Sequence, residues 1–391
     1  MKYNFDKVID RSGTSAEKVE GLKHIWGRTD LIPLWVADMD FATAPFVTDA
    51  IRKRCENEVL GYTGKPDSYY NAIINWVKQR YDLIVTKEVI NFVPGIVPGI
   101  GMAMNCFTQK GDKVMIQPPV YHPFAWVTTR KERTLVINPL RWENGMYRMD
   151  LDAFREQIKG CKLFILCNPH NPGGVVWTEA ELRAIADICY DEKVLVFSDE
   201  IHADLTLPPH THRPFATVSE KARMNSVTFM SPSKAFNMPG LSASHALIFN
   251  EDLRKRFRIY MDAGELDMGH VFAFLSVEAA YSHGTEWLDQ CLAYIQGNID
   301  FVDEFLKKHA PKIKAIRPGA SYLVWLDCRE LKLSQKDLNE FFVDKAHLAL
   351  NDGEMFGKEG IGFMRLNVAS PRCIIEKAMK QLADAYQLYI K

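Results

Sequence analysis

The chain has no excess charge of either sign: 48 Lys and Arg stand against 49 Asp and Glu, a net of −1. Attraction to nucleic acid or to an anionic membrane is therefore not expected. Nor is there a disulfide framework. Eight cysteines (Cys55, Cys106, Cys161, Cys167, Cys189, Cys291, Cys328 and Cys373) are scattered over 391 residues without a C-x-x-C pair. They read as small buried hydrophobes in a reducing cytoplasm. Residues Met1–Gly13 hold no apolar h-region, so no secretory signal is expected. Val89–Gln109 lacks charge altogether, yet Pro94, Gly95, Pro98, Gly99 and Gly101 interrupt it. A strand, a loop and a buried helix suit it better than a membrane span. The nucleotide fingerprints are missing too. Gly95–Gly101 is spaced G-x-x-x-G-x-G rather than G-x-G-x-x-G, and Gly61–Pro66 is too short for a P-loop.

What remains is ordinary globular composition, 47% hydrophobic and 25% charged. The length suits two or three domains, or one large and one small. In the middle of the chain, short continuous apolar runs alternate with helical patterns. The runs are Val114–Ile116, Leu163–Cys167, Val194–Phe197, Val227–Met230 and Ala246–Phe249. Continuous rather than alternating runs predict strands buried on both faces. Between the second and third runs, Thr178 to Glu181 forms a capping box, followed by Leu182, Ile185, Ala186 and Cys189 on one helix face. Strand, capped helix and strand make a βαβ unit, so the expected fold is α/β, a mostly parallel central sheet with helices on both faces. From Gly284 the pattern changes. Leu288, Leu292, Ile295, Ile299, Val302 and Leu306 predict one long amphipathic helix. After it come a strand (Tyr322–Leu326), a helix from about Ser334, a strand (Phe363–Val368) and a helix from about Arg372. This predicts a smaller α+β domain, with residues 41–285 as the large domain and 1–40 with 286–391 as the small one.

In a doubly wound sheet, ligands bind beyond the carboxyl ends of the strands. Three successive strand ends lead into Asn168-Pro-His-Asn171-Pro-Gly-Gly174, Ser198-Asp199-Glu200-Ile201-His202 and Ser231-Pro-Ser233-Lys234. Singly, each has a plainer reading: a turn, a helix N-cap, a surface lysine. Together they offer an amide, a carboxylate and an amine, with two hydroxyls. Pyridoxal 5′-phosphate (PLP) chemistry needs that set. A lysine must hold the cofactor aldehyde as a Schiff base, and a buried carboxylate must keep the pyridine nitrogen protonated. An amide suits the phenolate oxygen. The phosphate wants hydroxyls and the N–H groups of a helix N-terminus, which Gly95–Gly101 can supply. A metal site built from Asp199, Glu200, His202, Asp204, His210 and His212 is the rival. No i, i+4 His pair is present, and Pro208-Pro209 marks a loop. His202 is therefore expected to be a satisfied buried histidine, with His210 and His212 solvent-exposed.

These motifs, in this order, resemble the aspartate-aminotransferase superfamily of fold-type I PLP enzymes. More narrowly, the chain resembles the MalY/PatB family of cystathionine β-lyases. The resemblance runs essentially end to end and includes Pro33–Phe41 (PLWVADMDF), Gly61–Gly64, Pro66–Tyr70, Pro118–Tyr121 and Gly362–Asn367. Val19-Glu20 departs from it, since the family usually has an aromatic and Asp there. The resemblance implies that Lys234 is the Schiff-base lysine, Asp199 the pyridinium partner and Asn171 the donor to the phenolate oxygen. Tyr121 would stack on the ring. Ser231, Ser233 and the backbone of Ile96 and Val97 would hold the phosphate, and Arg365 the substrate α-carboxylate. His202 stands where aminotransferases commonly place a Tyr at the phenolate oxygen, and Ser242 where many relatives have an Arg on the phosphate. A homodimer is implied, with Tyr62 reaching the neighbouring subunit's cofactor phosphate. The implied reaction is β-elimination from L-cystathionine or related L-cysteine S-conjugates, giving thiol, pyruvate and ammonia. The same residues would equally serve an aminotransferase. A third possibility is a regulatory protein-binding role with incidental lyase activity; a small amino-acid substrate, no nucleic acid and no membrane complete the expectation.

Overall fold

In the computed structural model, which describes residues 3–389, seven strands form one sheet. Their spatial order is Ile90–Val93, Ser244–Leu247, Ser226–Met230, Leu195–Asp199, Cys161–Cys167, Lys113–Ile116 and Thr134–Ile137. All pairings are parallel except those of Ser244–Leu247, which runs antiparallel to both neighbours. Two reversals cancel, so Ile90–Val93 points the same way as the rest. The carboxyl ends of six strands thus open on one edge of the sheet, together with the start of the antiparallel strand.

Both faces are covered, which is why the strands are continuously apolar. One face carries a cluster containing Leu163, Ile165, Phe197, Val227 and Phe229, against the Ile96–Phe107 and Glu251–Asp262 helices. Another cluster, with Phe164, Leu166, Leu182, Ile185 and Val196, packs the Glu179–Asp191 helix onto the opposite face. The capping box forms as expected: Thr178 Oγ1 accepts from the Glu181 N–H, and Glu181 accepts from the Thr178 N–H. The uncharged stretch resolves into the Ile90–Val93 strand and the Ile96–Phe107 helix. Among the described residues no helix is long and apolar enough to cross a membrane.

The long helix spans Thr285–His309, and after it a four-stranded antiparallel sheet is built from Lys314–Ile316, Leu323–Asp327, Phe363–Asn367 and Asn351–Asp352. Several predicted bounds shift. The strand expected at Ala246–Phe249 is Ser244–Leu247, and Val194–Phe197 becomes Leu195–Asp199. Ser198 and Asp199 therefore end a strand rather than follow one. Their polar side chains break an apolar pattern while the backbone ladder with Leu166 and Cys167 continues. Ile32–Pro33 pairs with Leu348–Ala349, and from there the chain runs through Leu34–Phe41, with bends at residues 36–38 and 40–41, to Lys234 at the carboxyl edge of the large sheet.

Candidate active site

Each strand end delivers one functional side chain to a shared cavity of about 210 Å³. Asp199 ends its strand, Asn171 lies four residues beyond Cys167, and Lys234 four beyond Met230. These three line the cavity with Tyr121, His202, Ser233, Ile96, Val97 and Ser242. The structure thus brings together most of the residues singled out by sequence.

Burial dominates the electrostatics. It pushes the Asp199 carboxyl up to about 7, only partly opposed by a hydrogen bond from the Ile201 N–H. It also brings the Lys234 amine down to about 8, with Asp38 opposing the fall. Lys234 Nζ donates to the Ala37 carbonyl at 2.6 Å. Arg365 stands behind Asn171, donating to Asn171 Oδ1 at 3.1 Å, to Asn351 Oδ1 at 2.5 Å and to the Trp35 carbonyl at 3.2 Å. Its Nε is buried without a partner among the described residues.

Three sequence expectations need adjustment. His202 is buried, but its Nδ1 has no partner among the described residues, and burial drives its pKa down to about 3. His212 is not exposed: its Nε2 meets Glu200 at 2.8 Å in a buried pair. Glu200 also accepts from Ser198 Oγ and the Phe215 N–H, so its oxygens are committed. Among the described residues no three of His, Cys, Asp and Glu group to hold a metal. Ser231 lies behind the wall, its Oγ 2.7 Å from the Ala243 carbonyl and 2.9 Å from Ser233 Oγ. Tyr62 is 97% exposed and lines a separate surface hollow with Met268 and His270.

Sequence reasoning missed Ala37 and Tyr322, whose hydroxyl also donates to the Ala37 carbonyl, at 2.8 Å. The PLWVADMDF string was a signal for the first. Nothing in the local pattern marked Tyr322, one aromatic in an apolar run.

PLP fits this donor set on three observations. Asp199 is a buried carboxylate with one backbone donor, so it calls for a cation. The Ile96–Phe107 helix begins at the cavity with no side-chain cap, leaving backbone N–H groups for an anion. Its N-cap, Gly95, has φ +138, a conformation that favours glycine. Finally, the His202 Nδ1 and Arg365 Nε are buried polar atoms awaiting partners.

Comparison with known proteins agrees. A family model described as aminotransferase class I and II matches residues 29–382. Cystathionine beta-lyase PatB of Bacillus subtilis is 38% identical over 98% of this chain and 99% of its own. Protein MalY of Escherichia coli is 30% identical over 98% of both chains. The PLP-bound C-S lyase from Staphylococcus hominis superposes with a TM-score of 0.91 at 35% identity, covering 99% of this chain and 98% of that one. With the family model spanning most of its length and these relatives matching it end to end, this chain belongs to the aminotransferase class I and II family, among the PatB- and MalY-like cystathionine β-lyases.

Proposed function

We propose that the protein is a PLP-dependent carbon–sulfur lyase. It acts by β-elimination on L-cystathionine or related L-cysteine S-conjugates, giving thiol, pyruvate and ammonia. The observation that carries this is one buried cavity holding the Lys234 amine and the Asp199 carboxylate, with Asn171 on its wall bridging to Arg365. The names of PatB and the Staphylococcus enzyme support the reaction type.

Asp199 would hold the protonated ring nitrogen, Asn171 and His202 the ring oxygen, and Tyr121 the ring face. Ser233, backed by Ser231, and the N–H groups of Ile96 and Val97 would hold the phosphate. When bound, the cofactor supplies an electron sink for the charge left at the substrate Cα. The side chains do the rest. Arg365 fixes the α-carboxylate, using the Nε that has no other partner among the described residues. Lys234 Nζ, with its affinity for protons weakened by burial, takes the Cα proton and returns one to the departing sulfur.

The test uses purified protein, PLP and L-cystathionine with no 2-oxo acid. Many turnovers of pyruvate and free thiol are expected. Turnover that requires an added 2-oxo acid would show a transaminase instead.

Three further readings belong to this proposal. The active unit is a homodimer in which Tyr62 serves the neighbouring cofactor phosphate, supported by its exposure beside Leu60 and Met268, both exposed and apolar. The compartment is the cytoplasm, supported by eight cysteines that are all free. The domain division at 40/41 and 285/286 is supported by the two sheets, which lie within 90–247 and 314–367.

A further inference from the structure

Two donors converge on one oxygen in the cavity wall. The Ala37 carbonyl accepts from Lys234 Nζ at 2.6 Å and from the Tyr322 hydroxyl at 2.8 Å. A carbonyl has two lone pairs, so both bonds form, but each donor drains density the other uses.

The carbonyl has no freedom to turn away. Asn367 Nδ2 holds the carbonyls on either side, Val36 and Asp38, both at 2.7 Å. Asn237 Nδ2 holds those of Met39 and Phe41. The side chains of Asp38 and Asp40 are clasped by Arg11 and by Lys18, whose side chain is wholly buried. The Leu34–Phe41 segment is thus a strap without a sheet partner at Ala37, fixed by side chains from four other parts of the chain. Arg365 touches it at the Trp35 carbonyl, two residues from the point where Lys234 touches it.

We infer that the Ala37 carbonyl is the resting acceptor for the Lys234 amine whenever that amine is not covalently engaged, and that Tyr322 is a positioning residue that tunes the amine through this shared oxygen. By occupying one lone pair, the phenol makes the carbonyl a poorer partner for an ammonium, and so favours the neutral, reactive amine. The other charged or titratable groups facing Lys234 are Asp38 from the strap, Asp199 from the sheet, Arg365 from the small sheet and His202 beyond Asp199. Tyr322 itself stays neutral, since burial raises its pKa well above the usual value.

The inference rests on the reading of Lys234 as the reacting amine. That reading fails if pyruvate formation survives Lys234→Ala; the inference fails only in the Tyr322 variants. The full chain, freed of PLP, is trace-labelled with acetic anhydride across pH 6–11, and each lysine is followed by peptide mass spectrometry. Exposed Lys336 serves as the internal standard. Wild-type Lys234 should titrate near 8. Tyr322→Phe should move its midpoint up by roughly half to one pH unit, with Lys336 unmoved. Replacing Tyr322 with 3-fluorotyrosine, a stronger donor of the same shape, should move the midpoint down. In the PLP-loaded enzyme, Tyr322→Phe should shift the acid limb of the kcat profile to higher pH while KM changes less than twofold. If neither variant moves the Lys234 midpoint, or both move it the same way, the shared carbonyl is structural only and the inference is overturned.

Discussion

Asp199 is the residue whose cost and use are easiest to separate. Burial pushes its carboxyl up to about 7, against about 3.8 in an unfolded chain. Between these values the unfolded state binds fewer protons than the native one, so cofactor-free protein loses stability as pH rises from about 4 to about 7, by on the order of 4 kcal/mol. Asp199→Asn should remove this penalty. Without PLP, its melting temperature at pH 8 should exceed wild type by several degrees, and the gap should close near pH 4. With PLP the sign reverses: the amide cannot pair with a charged ring nitrogen, so turnover should fall about 100-fold or more. Equal turnover of the two proteins would remove Asp199 from the electron-sink role. Lys234→Ala should cost more, at least about 1,000-fold in pyruvate formation, because nucleophile and base vanish together. Borohydride should fix the cofactor on the Lys234 peptide in wild type and nowhere in the variant.

At the scale of elements, the cavity depends on how closely one helix approaches the sheet. A Cβ on Gly99 would lie 2.9 Å from Val93 Cγ2 and 3.2 Å from Phe229. Gly99→Ala should therefore push the Ile96–Phe107 helix outward, destabilising by about 1–3 kcal/mol. Because that helix presents its N–H groups to the cavity, PLP affinity should fall as well, measured by equilibrium dialysis alongside urea unfolding. An affinity loss without a shift in the urea midpoint would argue against displacement of the helix as the cause. Thr178→Ala offers a contrast. It removes a capping box whose side chains do not line the cavity and should cost about 1 kcal/mol with PLP affinity unchanged.

Over the whole molecule, one apolar cluster links the regions. It runs from Phe5 and Phe41 through Trp76, Phe236, Trp287 and Ile299 to Leu323, Leu366 and Tyr386. The strap and the Thr285–His309 helix share this core, so the position of Ala37 relative to Lys234 is set by packing that spans both sheets. The exposed Tyr62 loop faces outward instead, and its test is complementation. Tyr62→Ala and Lys234→Ala homodimers should each be inactive, while mixed dimers regain activity, since one of the two sites then holds both wild-type residues. If subunit exchange is demonstrated and mixed dimers stay inactive, the shared site fails. Tyr62→Phe should weaken PLP binding about ten- to hundredfold, the worth of one hydrogen bond to a charged oxygen.

Local chemistry made much of this legible without coordinates. Buried parallel strands must be apolar throughout, so Leu163–Cys167 and Val227–Met230 declared themselves, and the ligand-binding edge followed from the direction of the strands. Asn171, Asp199 and Lys234 stood out because polar groups directly after such runs need a reason to be there. The pairing of His212 with Glu200, the loose Nδ1 of His202 and the retreat of Ser231 behind Ser233 were not legible. Each depends on which way a side chain points, and for Glu200 and Ser231 that is settled in part by His212 and Ala243, twelve residues on in sequence. The PLWVADMDF string marked the segment holding Ala37, but not the role of Ala37 itself. Its contribution is a backbone carbonyl, common to every residue, and only the tertiary structure decides where one such oxygen lies. Tyr322 and Lys234 meet there because a side chain from each sheet region must find a buried acceptor, and the strap between the regions holds one in place.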